Sequence, residues 1–313
     1  MTDPAAAPPA PVSQMAAALR AGRFVMTAEV TPPASFDRAD LLARALPLKG
    51  LADAVNVTDG AGARAHLGAV AAAAILVDAG IEPVLQMVCR DRNRIGLQGD
   101  LIGAAALGIR NLLILRGDDP AAGDQPEAKA VFDLDSRGLM QCARALRDTA
   151  TLPSGRKVAG SAPFFLGAAD TPVDPPSDWR PDALMAKIAA GAQFVQTQFC
   201  MDAGVVRRYV ERLAAHGILN QLHLLIGVAP LRSGRSARWM CHHLHGTIIP
   251  DALIARLEGA ADPLAEGRRI CIELLEEFSQ IPGVAGAHVM APGNEAAIPE
   301  VIAALGHLPR RMP

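Results

Sequence analysis

Two segments place charged residues where an apolar run ends: Phe24-Val25-Met26-Thr27-Ala28-Glu29, and Asn111-Leu112-Leu113-Ile114-Leu115 followed by Arg116-Gly117-Asp118-Asp119-Pro120. A carboxylic acid in such a place serves as a proton donor when apolar neighbours raise its pKa toward working pH. Glu29, with Ala28, Val30 and Pro32-Pro33 around it, suits that use. The alternative is an ionised Glu29 paired with a nearby arginine. In the second segment Gly117 permits close backbone approach and Pro120 fixes the exit. Arg116 and Asp118 flank that glycine, so a cation, exposed amides and an anion stand side by side, and the first two suit a phosphate-bearing cofactor. A plain turn with a helix cap is the simpler reading of the same residues.

A third run, Cys89-Arg90-Asp91-Arg92-Asn93-Arg94, precedes a helical pattern. Asp91 or Asn93 is placed to N-cap that helix, and capping is the favoured role for Asp91. The arginines are either solvated or attract the negative tail of a substrate. Cys241, His242, His243 and His245 look like a metal cluster in one dimension. On a helix, however, Cys241 and His245 lie one turn apart while the other two point elsewhere, so at most two ligands share a face and no metal is expected. Spacing alone says little about Lys187, by default a solvated helix residue, or about Gln198.

The elements that must position these residues alternate: short apolar runs, then Ala/Leu-rich stretches of helical spacing, the pattern of βα units on a parallel sheet. Strands are predicted at 24–30, 53–58, 82–88, 111–116, 157–162, 193–199, 222–228 and 285–290. Helices are predicted at 38–47, 64–79, 93–107, 136–149, 180–190, 203–215, 233–244 and 295–305. Two more, near 250–258 and 263–280, form an insertion before the last strand. The fold class that follows is α/β, a (β/α)8 TIM barrel. Its strand ends bring together Glu29, Thr58-Asp59, Cys89-Arg90-Asp91, Arg116-Gly117-Asp118, Phe165, Gln198, Gly227 and Met290-Ala291-Pro292. Strand five is the weakest, with Ala159 and Gly160 in place of β-branched bulk, and the proline-rich stretch 163–180 reads as a long loop after it. An open doubly wound sheet is disfavoured because no GxGxxG follows the first strand.

The 313 residues exceed the roughly 250 of a typical barrel. One catalytic domain over 16–313 is expected, after a disordered Ala/Pro-rich tail at 1–15. With a net charge of −2 there is no basic excess to bind nucleic acid. No apolar run approaches the roughly 20 residues of a membrane span. The five cysteines lack CxxC spacing and the tail lacks the basic start of a secretory signal, so a cytoplasmic location with free thiols is expected.

Several long motifs occur in one order: TAEVTPP at 27–33, DAVNVTDGAGAR at 53–64, CRDRNRIGLQGDLIGAAALGIRNLLILRGDDP at 89–120, GDQPEAKAVFDLDS at 123–136, AKIAAGAQFVQTQFCMD at 186–202 and GVAGAHVMAPGNE at 283–295. Together they resemble the methylenetetrahydrofolate reductase family in its short bacterial, catalytic-domain form, over residues 23–305. The resemblance implies a barrel in which a flavin, FAD or alternatively FMN, is reduced by NADH or NADPH and passes a hydride to 5,10-methylenetetrahydrofolate, giving 5-methyltetrahydrofolate for methionine biosynthesis. It implies that Glu29 is the general acid that opens the imidazolidine ring to a 5-iminium cation, and that Asp118 steadies that cation and tunes the flavin. Gln198 matches a residue contacting folate and nicotinamide, and Thr58, Arg116, Gly117 and Lys187 match positions lining the flavin and its phosphates. Such chemistry needs an acid to create the cation and an anion to steady it.

The chain also departs from the enterobacterial branch of that family. Asp59 replaces a tyrosine, Ala183 and Ala186 replace polar or basic flavin contacts, Asn294 falls near an arginine used for substrate, and Gln125 replaces a histidine common in related sequences. Competing readings are methyltetrahydrofolate oxidation by the same site run in reverse, and a folate-binding subunit of a methyl-transfer or electron-transfer complex with no nicotinamide activity of its own. A homo-oligomer or a partner subunit is compatible with either. A zinc-dependent methyltransferase is disfavoured by the lack of a Cys/His cluster at the strand ends.

Overall fold

The computed structural model describes residues 12–306. Eight parallel strands close into one barrel in sequence order, each hydrogen-bonded to the next and the last to the first. The strands are β1 (Val25–Val30), β2 (Ala54–Val57), β3 (Pro83–Val88), β4 (Asn111–Leu115), β5 (Phe165–Asp170), β6 (Phe194–Phe199), β7 (His223–Val228) and β8 (Val284–Val289). The (β/α)8 architecture is thus confirmed. The helical insertion lies where expected: two extra helices, Asp251–Glu258 and Pro263–Ser279, follow the regular helix Gly234–His243 before β8.

The helices begin with α1 (Gln14–Arg20), α2 (Arg38–Ala45), α3 (Ala69–Asp78), α4 (Arg94–Ala106), α5 (Ser136–Thr149) and α6 (Asp182–Ala190). They continue with α7 (Ala203–Ala215), α8 (Gly234–His243), α9 (Asp251–Glu258), α10 (Pro263–Ser279) and α11 (Ile298–Ala304). Asp135, Asp202 and Asp262 accept bonds from the first-turn amides of α5, α7 and α10, and Pro263 at the first position of α10 has no amide to orphan.

Alternate strand residues point to opposite faces. Met26, Ala28, Val30, Val55, Val57, Leu85, Met87, Leu112 and Ile114 face outward into the main core against the helices. The opposite set fills the barrel. Val25, Ala54, Val84, Leu113, Phe165, Phe194 and Leu225 form an apolar lower layer with Met15, Ala16, Ala18 and Leu19 of α1, which closes the amino-terminal end. Glu82 fixes that helix: its carboxylate accepts from the Gln14 and Met15 amides at 2.7 and 2.9 Å, and from Asn111 Nδ2 at 2.9 Å.

Two expectations are corrected. The tail expected over 1–15 overlaps α1, because Ser13 caps that helix and Met15 is fully buried; residues 1–11 lie outside the described part. Strand five is not 157–162 but Phe165–Asp170, inside the stretch expected to be a loop. Residues 151–157 instead turn back on themselves through Gly155 (φ 85°), with Thr151 bridged antiparallel to Lys157. The real strand carries Gly167 because the Phe194 ring occupies its side-chain space: a Cβ there would lie 2.2 Å from Phe194 Cζ. Phe165 consequently sits in the lower layer, and Asp170 occupies the strand end assigned to it.

Candidate active site

Above the apolar layer the barrel interior turns polar. Asn56 and Gln196, on opposite sides of the barrel, exchange two amide bonds of 2.6 and 3.0 Å. Gln196 Nε2 also donates to Thr27 Oγ1 at 3.0 Å, and Thr27 Oγ1 lies 3.0 Å from His288 Nδ1. All four side chains are buried, so each bond replaces one that water can no longer supply. Glu29, next inward on β1 after Thr27, stands above this layer. Its Oε2 accepts from Gln86 Nε2 at 2.9 Å and lies 3.6 Å from His288 Nε2. Among the described residues no arginine pairs with Glu29, which leaves the ion-paired alternative without a partner. A second carboxyl, Glu295, stands close enough to feel its charge. Burial pushes Glu295 above the usual carboxyl value, the Arg44 guanidinium at 3.4 Å opposes that, and Glu29 adds to it.

Asp118, on the turn after β4, is exposed, and its Oδ2 accepts from the Gly62 amide at 3.0 Å. Gly117 beside it adopts φ 92°, and a Cβ there would press on Val88 and Arg90 at 3.0 and 3.1 Å; the glycine is needed for backbone and for space. Arg116 carries its guanidinium 4.5 Å over the Phe132 ring and has no carboxylate partner among the described residues. Thr58, 2% exposed just beyond β2, has a buried hydroxyl with no hydrogen-bond partner. Gln198 lies at the carboxyl end of β6, its Oε1 accepting from the Phe199 amide at 3.0 Å.

Lys187 of α6 is no solvated helix residue. Its Nζ donates to the Ala169 carbonyl at 2.6 Å and lies 3.4 Å from Asp170 Oδ1, while Tyr209 donates its hydroxyl to the other oxygen of Asp170. Burial, with the adjacent Asp170 charge, pushes the Tyr209 phenol up, so it stays protonated. These groups line a cavity of about 470 Å³ that opens beside the ends of β4 and β5. Its walls include Leu115, Met140, Ala168, Trp179 and Tyr209, and Arg116, Arg137, Arg180 and Lys187 stand around it. Apolar walls with cations around them suit a flat aromatic group that carries phosphate, Arg116 being the one without a carboxylate beside it among the described residues, while Arg137, Arg180 and Lys187 face Asp135, Asp182 and Asp170. Of the cofactor positions expected from sequence, Arg116 and Lys187 line this cavity; Thr58 and Gly117 do not.

The arginine run behaves otherwise than expected. Asn93, not Asp91, caps α4. Asp91 instead takes the buried Arg90 at 2.6 Å, Arg92 bridges Asp59 and Asp100, and Arg94 pairs with Asp133 at 2.8 Å. All three cations are satisfied within the chain, which removes the substrate-attracting reading. Desolvation lifts the Asp59 carboxyl above its usual value against the pull of Arg92. His243 stacks on Trp239, and among the described residues no group of three His, Cys, Asp or Glu side chains is arranged to hold a metal. Nor is any described helix long and apolar enough to cross a membrane.

Sequence reasoning missed Asn56, Gln86, Gln196 and His288. Their signal was parity: each is a polar residue on the inward register of its strand, in step with Thr27 and Glu29.

Fold and site together define a (β/α)8 barrel with a carboxyl-end site built on an inward-facing glutamate and a cavity edged by charged side chains. The methylenetetrahydrofolate reductase family model matches residues 14–306, and the chain belongs to that family. A curated relative, a probable methylenetetrahydrofolate reductase (NADPH) from Caenorhabditis elegans, is 26% identical over 243 residues, 75% of this chain but 34% of its own length. This chain therefore spans about a third of that relative. Among solved structures, a Clostridium thermocellum protein described as binding two copies of 5-methyl-5,6,7,8-tetrahydrofolic acid superposes with a TM-score of 0.61 at 14% identity, covering 91% of this chain and 95% of that one. The EDTA monooxygenase of Chelativorans sp. BNC1 gives 0.53 at 12% identity, over 93% and 96%. At such identities these two likenesses concern the fold.

Proposed function

We propose that the chain is a flavin-dependent oxidoreductase that reduces 5,10-methylenetetrahydrofolate to 5-methyltetrahydrofolate with NADH or NADPH. The observation that carries this reading is Glu29, an inward-facing carboxyl of β1 whose Oε2 is oriented by Gln86 and faced by His288. Reduction of the methylene bridge consumes one proton and one hydride. Glu29 gives the proton to N10 as the bridge carbon leaves it, and the cation formed at N5 accepts the hydride. Asp118, the exposed carboxylate on the turn after β4 that accepts from the Gly62 amide, steadies that cation. Gln198, at the end of β6, presents its amide to the substrate.

Arg116 and Lys187 at the cavity, with Thr58 and the Gly117 backbone, are the residues that would hold a flavin. When bound, it supplies the two-electron carrier between nicotinamide and folate. Lys187 keeps donor capacity for a phosphate, since an ammonium has three N–H groups. The described cysteines are free thiols, which supports a reducing compartment such as the cytoplasm.

The test is the visible absorbance of the purified chain, alone, after anaerobic NADH or NADPH, and after methylenetetrahydrofolate. A flavin band that bleaches with the nicotinamide and returns with the folate is expected. A chain that stays colourless after incubation with FAD or FMN would overturn the flavin part of the proposal. A band that bleaches and fails to return would overturn the folate part.

A further inference from the structure

The buried polar layer beneath Glu29 has a direction. Asn56 and Gln196 exchange both of their amide bonds, at 2.6 and 3.0 Å, so each holds the other's orientation. That exchange uses one hydrogen of the Gln196 amide nitrogen. The other points to Thr27 Oγ1 at 3.0 Å, with His288 Nδ1 3.5 Å from the same nitrogen. Thr27 and His288 are partners in the β1–β8 register, which sets the hydroxyl beside the ring, 3.0 Å from Nδ1. A hydroxyl and an amide nitrogen therefore converge on one nitrogen of His288. Two acceptors stand within reach of the Thr27 hydroxyl, this Nδ1 and the Ala287 carbonyl at 3.3 Å. Only the first agrees with Gln196. A hydrogen on Nδ1 would confront the amide hydrogens, donor against donor among buried groups, whereas a bare Nδ1 accepts from the hydroxyl.

A neutral imidazole with a bare Nδ1 carries its hydrogen on Nε2, and Nε2 is the atom that faces Glu29 Oε2 at 3.6 Å. Oε2 already accepts from Gln86 Nε2 at 2.9 Å, so both neighbouring N–H groups are aimed at one carboxyl oxygen. The oxygen left to carry the acidic hydrogen is Oε1. When that O–H bond breaks and the proton passes to the substrate nitrogen, the electron pair stays on the carboxylate. His288 Nε2–H then closes from 3.6 Å to hydrogen-bond length as the charge appears.

We propose that the Asn56–Gln196 amide pair, acting through Thr27, is a positioning device that fixes the His288 hydrogen on Nε2, so that the ring stabilises the carboxylate Glu29 leaves behind. This rests on Glu29 being the acid, as proposed above, and adds the residues that prepare its surroundings. Asn56, Gln196 and Thr27 act through the imidazole, so their loss lowers kcat of the folate step and spares KM.

The experiment reads the tautomer directly, by nitrogen-15 NMR of protein labelled in its imidazoles at about pH 8, where an unperturbed ring is neutral. The His288 signals are assigned by their absence in His288→Gln. The wild type is expected to carry hydrogen on Nε2 alone. Thr27→Val, close in shape but without the hydroxyl, and Gln196→Met are expected to populate the Nδ1–H form. Both should slow methylenetetrahydrofolate reduction about tenfold while nicotinamide oxidation is unchanged, and Thr27→Ser should restore tautomer and rate. Thermal midpoints check folding, and Thr27→Val carries the test if Gln196→Met, which strands Asn56, does not fold. An Nδ1–H wild type, or a tautomer that neither variant moves, would overturn the assignment while the reading of Glu29 stands. A moved tautomer with an unchanged folate step would overturn its part in the reaction. A wild type with the Nε2–H form and no folate reduction would overturn the reading of Glu29 and leave the tautomer assignment standing.

Discussion

Glu29→Gln isolates the proton. The substitution keeps shape and one oxygen, so the Gln86 Nε2 bond of 2.9 Å can be retained by the new amide carbonyl. One neutral hydrogen bond replaces one to a carboxyl, and the stability change should stay within about 1 kcal/mol. What is lost is the acid. Positioned general acids contribute roughly 10²–10⁴ in rate, or about 3–5.5 kcal/mol of barrier. Rapid-mixing kinetics separate the two halves of the reaction. Nicotinamide oxidation needs no proton from Glu29 and should run within about twofold of wild type, while methylenetetrahydrofolate reduction should fall by roughly 10²–10⁴. An equal loss in both halves would mean that Glu29 organises the site instead of protonating the substrate. An unchanged folate step would remove it from the chemistry altogether.

Asp118→Asn keeps an acceptor for the Gly62 amide and removes the charge; the folate step should slow by about 10- to 100-fold, read in the same apparatus, and unchanged kinetics in both halves would refute its role. Glu82→Ala strips the acceptor from two α1 amides and from Asn111. It should cost about 1–3 kcal/mol in urea unfolding while kcat of the remaining folded enzyme stays constant, since Glu82 lies at the far end of the barrel. His223 has its pKa lowered, first by burial and then by the Arg20 charge. The unfolded chain therefore binds a proton that the folded chain resists, and stability should fall as pH drops below the ordinary imidazole value of about 6.5 until the lower folded value is reached, with a slope of at most about 1.4 kcal/mol per pH unit from this group. His223→Gln should flatten that part of the stability profile, measured as urea midpoints across pH.

Most of the barrel was legible because parallel strands buried on both faces read as apolar runs, and Glu29 and Asp118 announce themselves by ending such runs. Strand five escaped because its decisive partner is distant in sequence. Gly167 lowers the strand signal of Phe165–Asp170, and the reason for it, the Phe194 ring, lies on the next strand. The error carried into the site, since Asp170 was hidden inside a supposed loop and Phe165 was given its place. Helix α1 escaped because an Ala/Pro-rich start masks the Ser13 cap and the Met15–Leu19 pair, whose value appears only against the barrel floor. The arginines of 90–94 were visible, but Asp59 and Asp100, the partners of Arg92, and Asp133, the partner of Arg94, are set by packing. Conversely, His288 and Gln86 were overlooked because a single polar residue in an apolar strand looks like noise until strands on both sides of Glu29 are seen to aim at it.

Gln86 reaches Glu29 from β3, and His288 reaches it from β8, the strand that seals the ring against β1. Glu29 therefore acquires its surroundings only when the first and last strands of the chain have met. A partly assembled sheet, even one correct over seven strands, would hold the glutamate without its histidine. Catalytic competence becomes a readout of closure: in refolding, the return of activity should coincide with the last strand docking and lag behind the recovery of helical signal.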